Sequence, residues 1–185
     1  ITTDYSMSYI TSKETVIKGQ IKITKVDSET NLPIPQGEAT LVGAKYGVYD
    51  SKNNLVDTII IGEDSTATTK LLPYGKYTIR ELENSTGYYL NTEVYKETIT
   101  EKITYPITVK EDVIKNRFEF YKFYGNLDNG TGIIYAEPNA IFEIINNKNE
   151  VVATIKTDKN GYATISLPYG NYQVKQKSGL DDYKL

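Results

Sequence analysis

The stretch GQIKITKVDSET (19–30) decides the fold. Read as an extended strand, it places Ile21, Ile23 and Lys25 on one face and Lys22, Thr24 and Val26 on the other. The isoleucine face is the one that buries, so a lysine lies in line with the core. Similar short alternating runs of β-branched and aromatic residues fill the rest of the chain, as in KYTIREL (76–82), ITYPITVKEDVI (103–114), VVATIKT (151–157) and YATISL (162–167). Turn-forming clusters separate them, including DSKNN (50–54), LDNGTG (127–132) and DKNG (158–161). No stretch keeps a helical period, and the fold class read from the sequence is all-β.

The chain also repeats itself. VIKGQIKITKVD (16–27) matches VIKNRFEFYKFY (113–124), so Lys25 falls on Lys122. GAKYGVYDSKNNLVDTI (43–59) matches NAIFEIINNKNEVVATI (139–155), and LPYGKYTIRE (72–81) matches LPYGNYQVKQ (167–176), all at nearly the same offset. The repeat predicts a complete β domain over 19–118 and a second over 119–185 that stops before its last strands. Residues 1–18 correspond to the closing strands of a preceding repeat. The expected partners are therefore neighbouring repeats of the same protein, and a strand swap between chains through residues 1–18 is an open arrangement.

Composition narrows the function. With 185 residues and 39% hydrophobic content, the chain can build one large or two small cores. The net charge of −3 is mild and the 21 basic residues are scattered, which argues against a nucleic-acid surface. Cysteine and histidine are both absent, which removes disulfides, thiolate metal sites and the commonest general base. No apolar run is long enough to cross a membrane. No cofactor or metal is implied.

The parity test applied to Lys25 finds two more polar residues aligned with apolar neighbours. Glu81 shares a face with Tyr77 and Ile79, and Asn116 with Ile114 and Phe118. Burying an isolated ammonium or carboxylate is costly, and a covalent bond between the groups removes the charge. The alternative is that Lys25 extends to the domain rim and pairs with Glu81 at the surface. Lys22, the rival amine, has the wrong parity.

With ITKVDSET, GAKYGVYD, LPYGKYTIRE, GYYL and VIKN in order along 19–118, the chain resembles tandem CnaB-type domains of Gram-positive surface adhesins and pilins, the SpaA or prealbumin-like β-sandwich. The resemblance implies an intramolecular isopeptide bond between Lys25 and Asn116, promoted by Glu81. A neutral amine would attack the carboxamide, a protonated Glu81 would stabilise the oxyanion, and ammonia would leave. This is a single autocatalytic cross-linking event, not enzyme turnover. Joining the first strand to the last would remove unfolded-state entropy worth about 4–5 kcal/mol. In the second unit Lys122 is retained but Gln176 replaces the glutamate, so no bond is expected there.

The function implied is a structural stalk or spacer of a cell-wall-anchored, extracellular adhesin or pilin, with any host matrix ligand bound through another domain. The competing reading is a ligand-binding module for host matrix protein or glycan, suggested by 17 tyrosines. NLDNGTG (126–132) has the flavour of a calcium loop without its full spacing and reads as a turn.

Overall fold

A computed structural model describes residues 11–125 and 134–180. The first ten residues, NLDNGTG (126–132) and the last five residues lie outside that range, as does most of the proposed strand-swap arm. Fifteen strands and no helix occur among the described residues. In the first unit these are β1 (Lys18–Asp27), β2 (Lys45–Tyr49), β3 (Leu55–Ile60), β4 (Thr66–Thr68), β5 (Leu72–Pro73), β6 (Gly75–Glu83), β7 (Tyr95–Ile99) and β8 (Thr104–Glu111). The second contains β9 (Lys115–Tyr121), β10 (Phe123–Gly125), β11 (Ile134–Ala136), β12 (Ile141–Asn146), β13 (Val151–Lys156), β14 (Tyr162–Pro168) and β15 (Tyr172–Ser178).

The first unit is a sandwich of two four-stranded sheets. One is centred on β1, which pairs with β4, β5 and β8; the other runs β3-β2-β6-β7. The alternation in the opening stretch becomes the packing: Ile21, Ile23 and Lys25 are each 0% exposed. The two isoleucines meet Tyr46, Val48, Tyr77 and Ile79 from the opposing sheet and Val109 from β8 in one apolar core. Burial of these side chains supplies most of the driving force. The first and last strands are parallel neighbours, in register from Gln20↔Thr104 through Lys25↔Val109 to Asp27↔Glu111. That pairing is direct, so the two ends of the unit meet along a single strand–strand seam.

β8 ends at Glu111, and β9 pairs along its whole length with β14, from Lys115↔Pro168 to Tyr121↔Tyr162. The strand that spans the 118/119 boundary expected from the repeat is therefore hydrogen-bonded throughout to residues 162–168. The internal repeat is visible in hydrogen bonds as well as in letters. The Tyr74 amide donates to the Ile17 carbonyl as the Tyr169 amide does to Ile114, both at 2.8 Å. Tyr77 and Tyr172 each donate a hydroxyl hydrogen bond to the carbonyl four residues earlier, of Pro73 and Pro168.

The joint between the units is tightly stitched. The Glu38 amide donates across it to the Tyr169 carbonyl, and the segment leading into β9 is held to the first unit by the Ile114 amide on Gly87 and the Tyr89 amide on Asp112. The Asn171 side-chain amide reaches Glu38 at 2.9 Å, and Lys115 pairs with Glu29 at 2.6 Å. Gly87 (φ +82°) packs so closely that a Cβ there would stand 2.6 Å from the Ala39 Cβ and 2.9 Å from the Tyr169 ring.

Candidate functional site: a buried lysine between two carboxylates

Lys25 does not reach the rim. Its side chain is fully buried, as are those of Glu81 and Glu111. The Lys25 Nζ donates to Glu81 Oε1 at 2.9 Å and to Ser85 Oγ at 3.1 Å, and it lies 3.6 Å from Glu111 Oε2. The site is assembled from three strands. β1 supplies the amine, β6 supplies Glu81 from the facing sheet, and β8 supplies Glu111 from the seam. Each residue is the inward member of its strand's alternation. Glu81 is fixed on its other side by the Asn91 amide, which donates to Oε2 at 2.7 Å. Glu111 accepts from the Tyr46 hydroxyl through Oε1 at 2.9 Å, while its Oε2 has no hydrogen-bond partner among the described residues.

The electrostatics follow from burial. Desolvation pushes the Glu111 carboxyl above its ordinary value, helped by nearby Glu81 and opposed by Lys25, Tyr46 and Asn91. Burial, and then the Glu111 and Glu81 charges, raises the Tyr46 phenol, so Tyr46 stays protonated and serves as a donor. A cleft of about 430 Å³ flanks the site, and Glu111 forms part of its wall with Asn91, Tyr95 and Thr108.

A second buried acid, Asp27, closes the end of β1. Its carboxylate accepts from the Glu29 and Thr30 amides at 3.0 Å, from the Gln36 side chain and from the Tyr88 hydroxyl. Burial alone would raise its pKa; these donors outweigh burial and hold it below the ordinary carboxylate value.

The structure thus brings Lys25 and Glu81 together but leaves Asn116 elsewhere. Asn116 lies on β9, exposed, opposite Leu167 of the second unit. The VIKN stretch follows the last strand of the first unit instead of forming it, so the alternation of 114–118 belongs to the next sandwich. The polar residue that the last strand presents to Lys25 is Glu111. In the second unit Lys122 is about one-third exposed and lies 3.6 Å from buried Glu137, while Gln176 pairs in register with Phe142 and donates to the Ser178 carbonyl.

Sequence reading missed Glu111, Tyr46, Ser85, Asp27 and Glu137. For Glu111 the signal was present: Tyr105, Ile107, Val109 and Glu111 alternate as Ile21, Ile23 and Lys25 do. Tyr46 is one of many strand tyrosines, and only the fold places its hydroxyl on a carboxylate.

Two facing sheets with a parallel first-to-last seam and an inward lysine–glutamate pair define a prealbumin-like β-sandwich. The model of the SpaA prealbumin-like fold domain matches residues 19–113 and again 137–185, and the chain belongs to that family. It is 41% identical over 92 residues to the trypsin-resistant surface T6 protein of Streptococcus pyogenes, an overlap of 48% of this chain and 16% of that protein. In three dimensions it resembles the Bacillus anthracis TIE protein with a TM-score of 0.69 at 31% identity, over 88% of this chain and 29% of that one. The chain therefore spans less than one-third of the length of either relative.

Proposed function

We propose that this chain is a tension-carrying stalk segment of an extracellular, cell-wall-anchored surface pilin or adhesin of a Gram-positive bacterium. In this reading the buried Lys25 cluster ties the first strand of the complete unit to its last. The observation that carries it is the β1/β8 seam with Lys25, Glu81 and Glu111 at its end. Tension entering at Lys18 and leaving at Glu111 pulls two parallel strands past each other, which loads the interstrand hydrogen bonds together and not one after another. The Lys25 contacts with Glu111 and, across the core, with Glu81 resist that sliding. The stitched joint at Gly87 and Tyr169 passes the load to the second unit with little freedom to bend.

The relatives support this reading: one is named a surface protein, and the match to a SpaA-type domain repeats along the chain. Neighbouring repeats are the partners the joint fits. Trypsin digestion tests the proposal, because 21 lysines and arginines offer cleavage sites. A folded, tied unit should survive as a fragment spanning β1 to β8, and Lys25→Met should make it digestible. Equal, rapid cleavage inside that span in both proteins would contradict the stalk reading.

A further inference from the structure

The last strand of the first unit has a counterpart in the sequence, ahead of β1. YITSKETVIK (9–18) matches PITVKEDVIK (106–115), so Glu14 falls on Glu111 and precedes Lys18 by the spacing at which Glu111 precedes Lys115. The described part of this segment, residues 11–17, forms no strand and is exposed. Val16 is 61% exposed, whereas its counterpart Val113 is 6% exposed.

The second unit has the matching gap. β1 pairs with β4 on one edge and in parallel with β8 on the other. Its counterpart β9 pairs with β14 and, among the described residues, with no other strand. The Lys122 amide donates to Gly161 and its carbonyl accepts from Glu137, both on the β14 side. Successive residues of a strand direct their backbone groups to opposite edges, so those of Arg117, Glu119 and Tyr121 face the edge where the first unit holds β8. The core is open at the same place. Phe118 is 37% and Val174 40% exposed, whereas their counterparts Ile21 and Ile79 are fully buried.

We propose that the free edge of β9 is a docking site for residues 7–14 of a second copy of this chain, which add to it as a parallel strand. This goes beyond the stalk reading and is independent of the Lys25 tie. The register follows from the first unit, where Ile21, Ile23, Thr24 and Lys25 lie opposite Tyr105, Ile107, Thr108 and Val109. Transferred through the repeat, it sets Phe118 beside Ser8, Phe120 beside Ile10, Tyr121 beside Thr11 and Lys122 beside Ser12. The sizes complement each other: the second unit has rings where the first has isoleucines, and the tail has serines where β8 has Tyr105 and Val109. Backbone hydrogen bonds to an open sheet edge give such a contact its affinity, and the alternating side chains give it its register.

Reach selects a second copy over the same chain. From Glu14 to Lys18 the backbone spans at most about 14 Å. Lys18 begins β1, whose other end, Asp27, lies beside the joint, about 30 Å along the strand. A chain that donates its tail to one copy still presents its own β9 edge to another. The contact is therefore head-to-tail and builds an open row of copies, each first unit following a second unit as the joint within one chain already does.

The test uses the 185-residue chain, which contains no cysteine. Thr11→Cys and Tyr121→Cys are introduced together; both positions are exposed, and neighbouring strands stand about 4.8 Å apart, within the span of a disulfide. Mild oxidation should give a ladder of linked dimers, trimers and longer forms on a non-reducing gel. The pair Thr108→Cys with Tyr121→Cys, whose first cysteine is held in β8 of its own unit, should stay unlinked. In sedimentation the wild type should grow heavier with concentration, and a chain lacking residues 1–15 should stay monomeric. A link confined to monomers overturns the second copy. Absence of linked forms, an equal ladder from the Thr108 pair, or association that survives removal of residues 1–15 overturns the docking site.

Discussion

Replacing Lys25 by methionine keeps the length and most of the volume of the side chain but removes the charge between Glu81 and Glu111. Both carboxyls remain fully buried, facing each other without the ammonium. Removing one partner of a buried ion pair costs about 3–5 kcal/mol, because the desolvation of the other partner is then uncompensated. In a unit of this size that lowers the thermal midpoint by more than about 10 °C. The pH dependence gives a sharper signature. Glu111 has a raised pKa in the fold, so the stability linked to it is fully present below its ordinary value of 4.5 and is lost as pH rises through the folded value. Without the ammonium that opposes this shift, the folded value rises further, so the deficit of Lys25→Met should be smaller near pH 4.5 than at pH 7. Thermal unfolding of both proteins at the two pH values measures this. A deficit under about 1 kcal/mol, the size of an exposed ion pair, or an equal deficit at both pH values, would refute the reasoning.

Three further outcomes follow from the same geometry. Lys122→Ala should cost under about 1 kcal/mol in unfolding experiments, since the Lys122–Glu137 pair is partly exposed and 3.6 Å long. Asp27→Asn should destabilise the first unit by about 1–3 kcal/mol by weakening a four-donor network. Because the Asp27 pKa is lowered, its contribution is present above the ordinary value of 3.8 and is lost as pH falls through the folded value, so the variant's deficit should shrink in acid. Gly87→Ala puts a Cβ against Ala39 at a positive φ and should cost about 1–3 kcal/mol; solution scattering should show the two units reorienting about the joint.

How much of this was legible in the sequence depends on the kind of information each feature carries. The β-sandwich was legible because strand alternation is local: Ile21, Ile23 and Lys25 point inward for the same reason that Tyr77, Ile79 and Glu81 do. The repeat was legible because two units share turn and strand letters at nearly constant spacing. The last-strand partner of Lys25 was not, because parity tells which face a residue occupies and not which sandwich the strand joins. Asn116 has the expected parity on a strand that belongs to the next unit, whereas Glu111 has it on the strand that pairs with β1. The phenol and hydroxyl partners, Tyr46 and Ser85, depend on contacts across 65 and 60 residues of chain and have no local signature.

The central claim is mechanical: Lys25 holds the opening strand to the closing strand under load. Stretching single molecules from their ends, wild type beside Lys25→Met, tests it most directly. The account predicts that the first unit of the wild type resists at forces where the same unit of the variant already extends. Extension of that unit at the same force and by the same length in both proteins would contradict it.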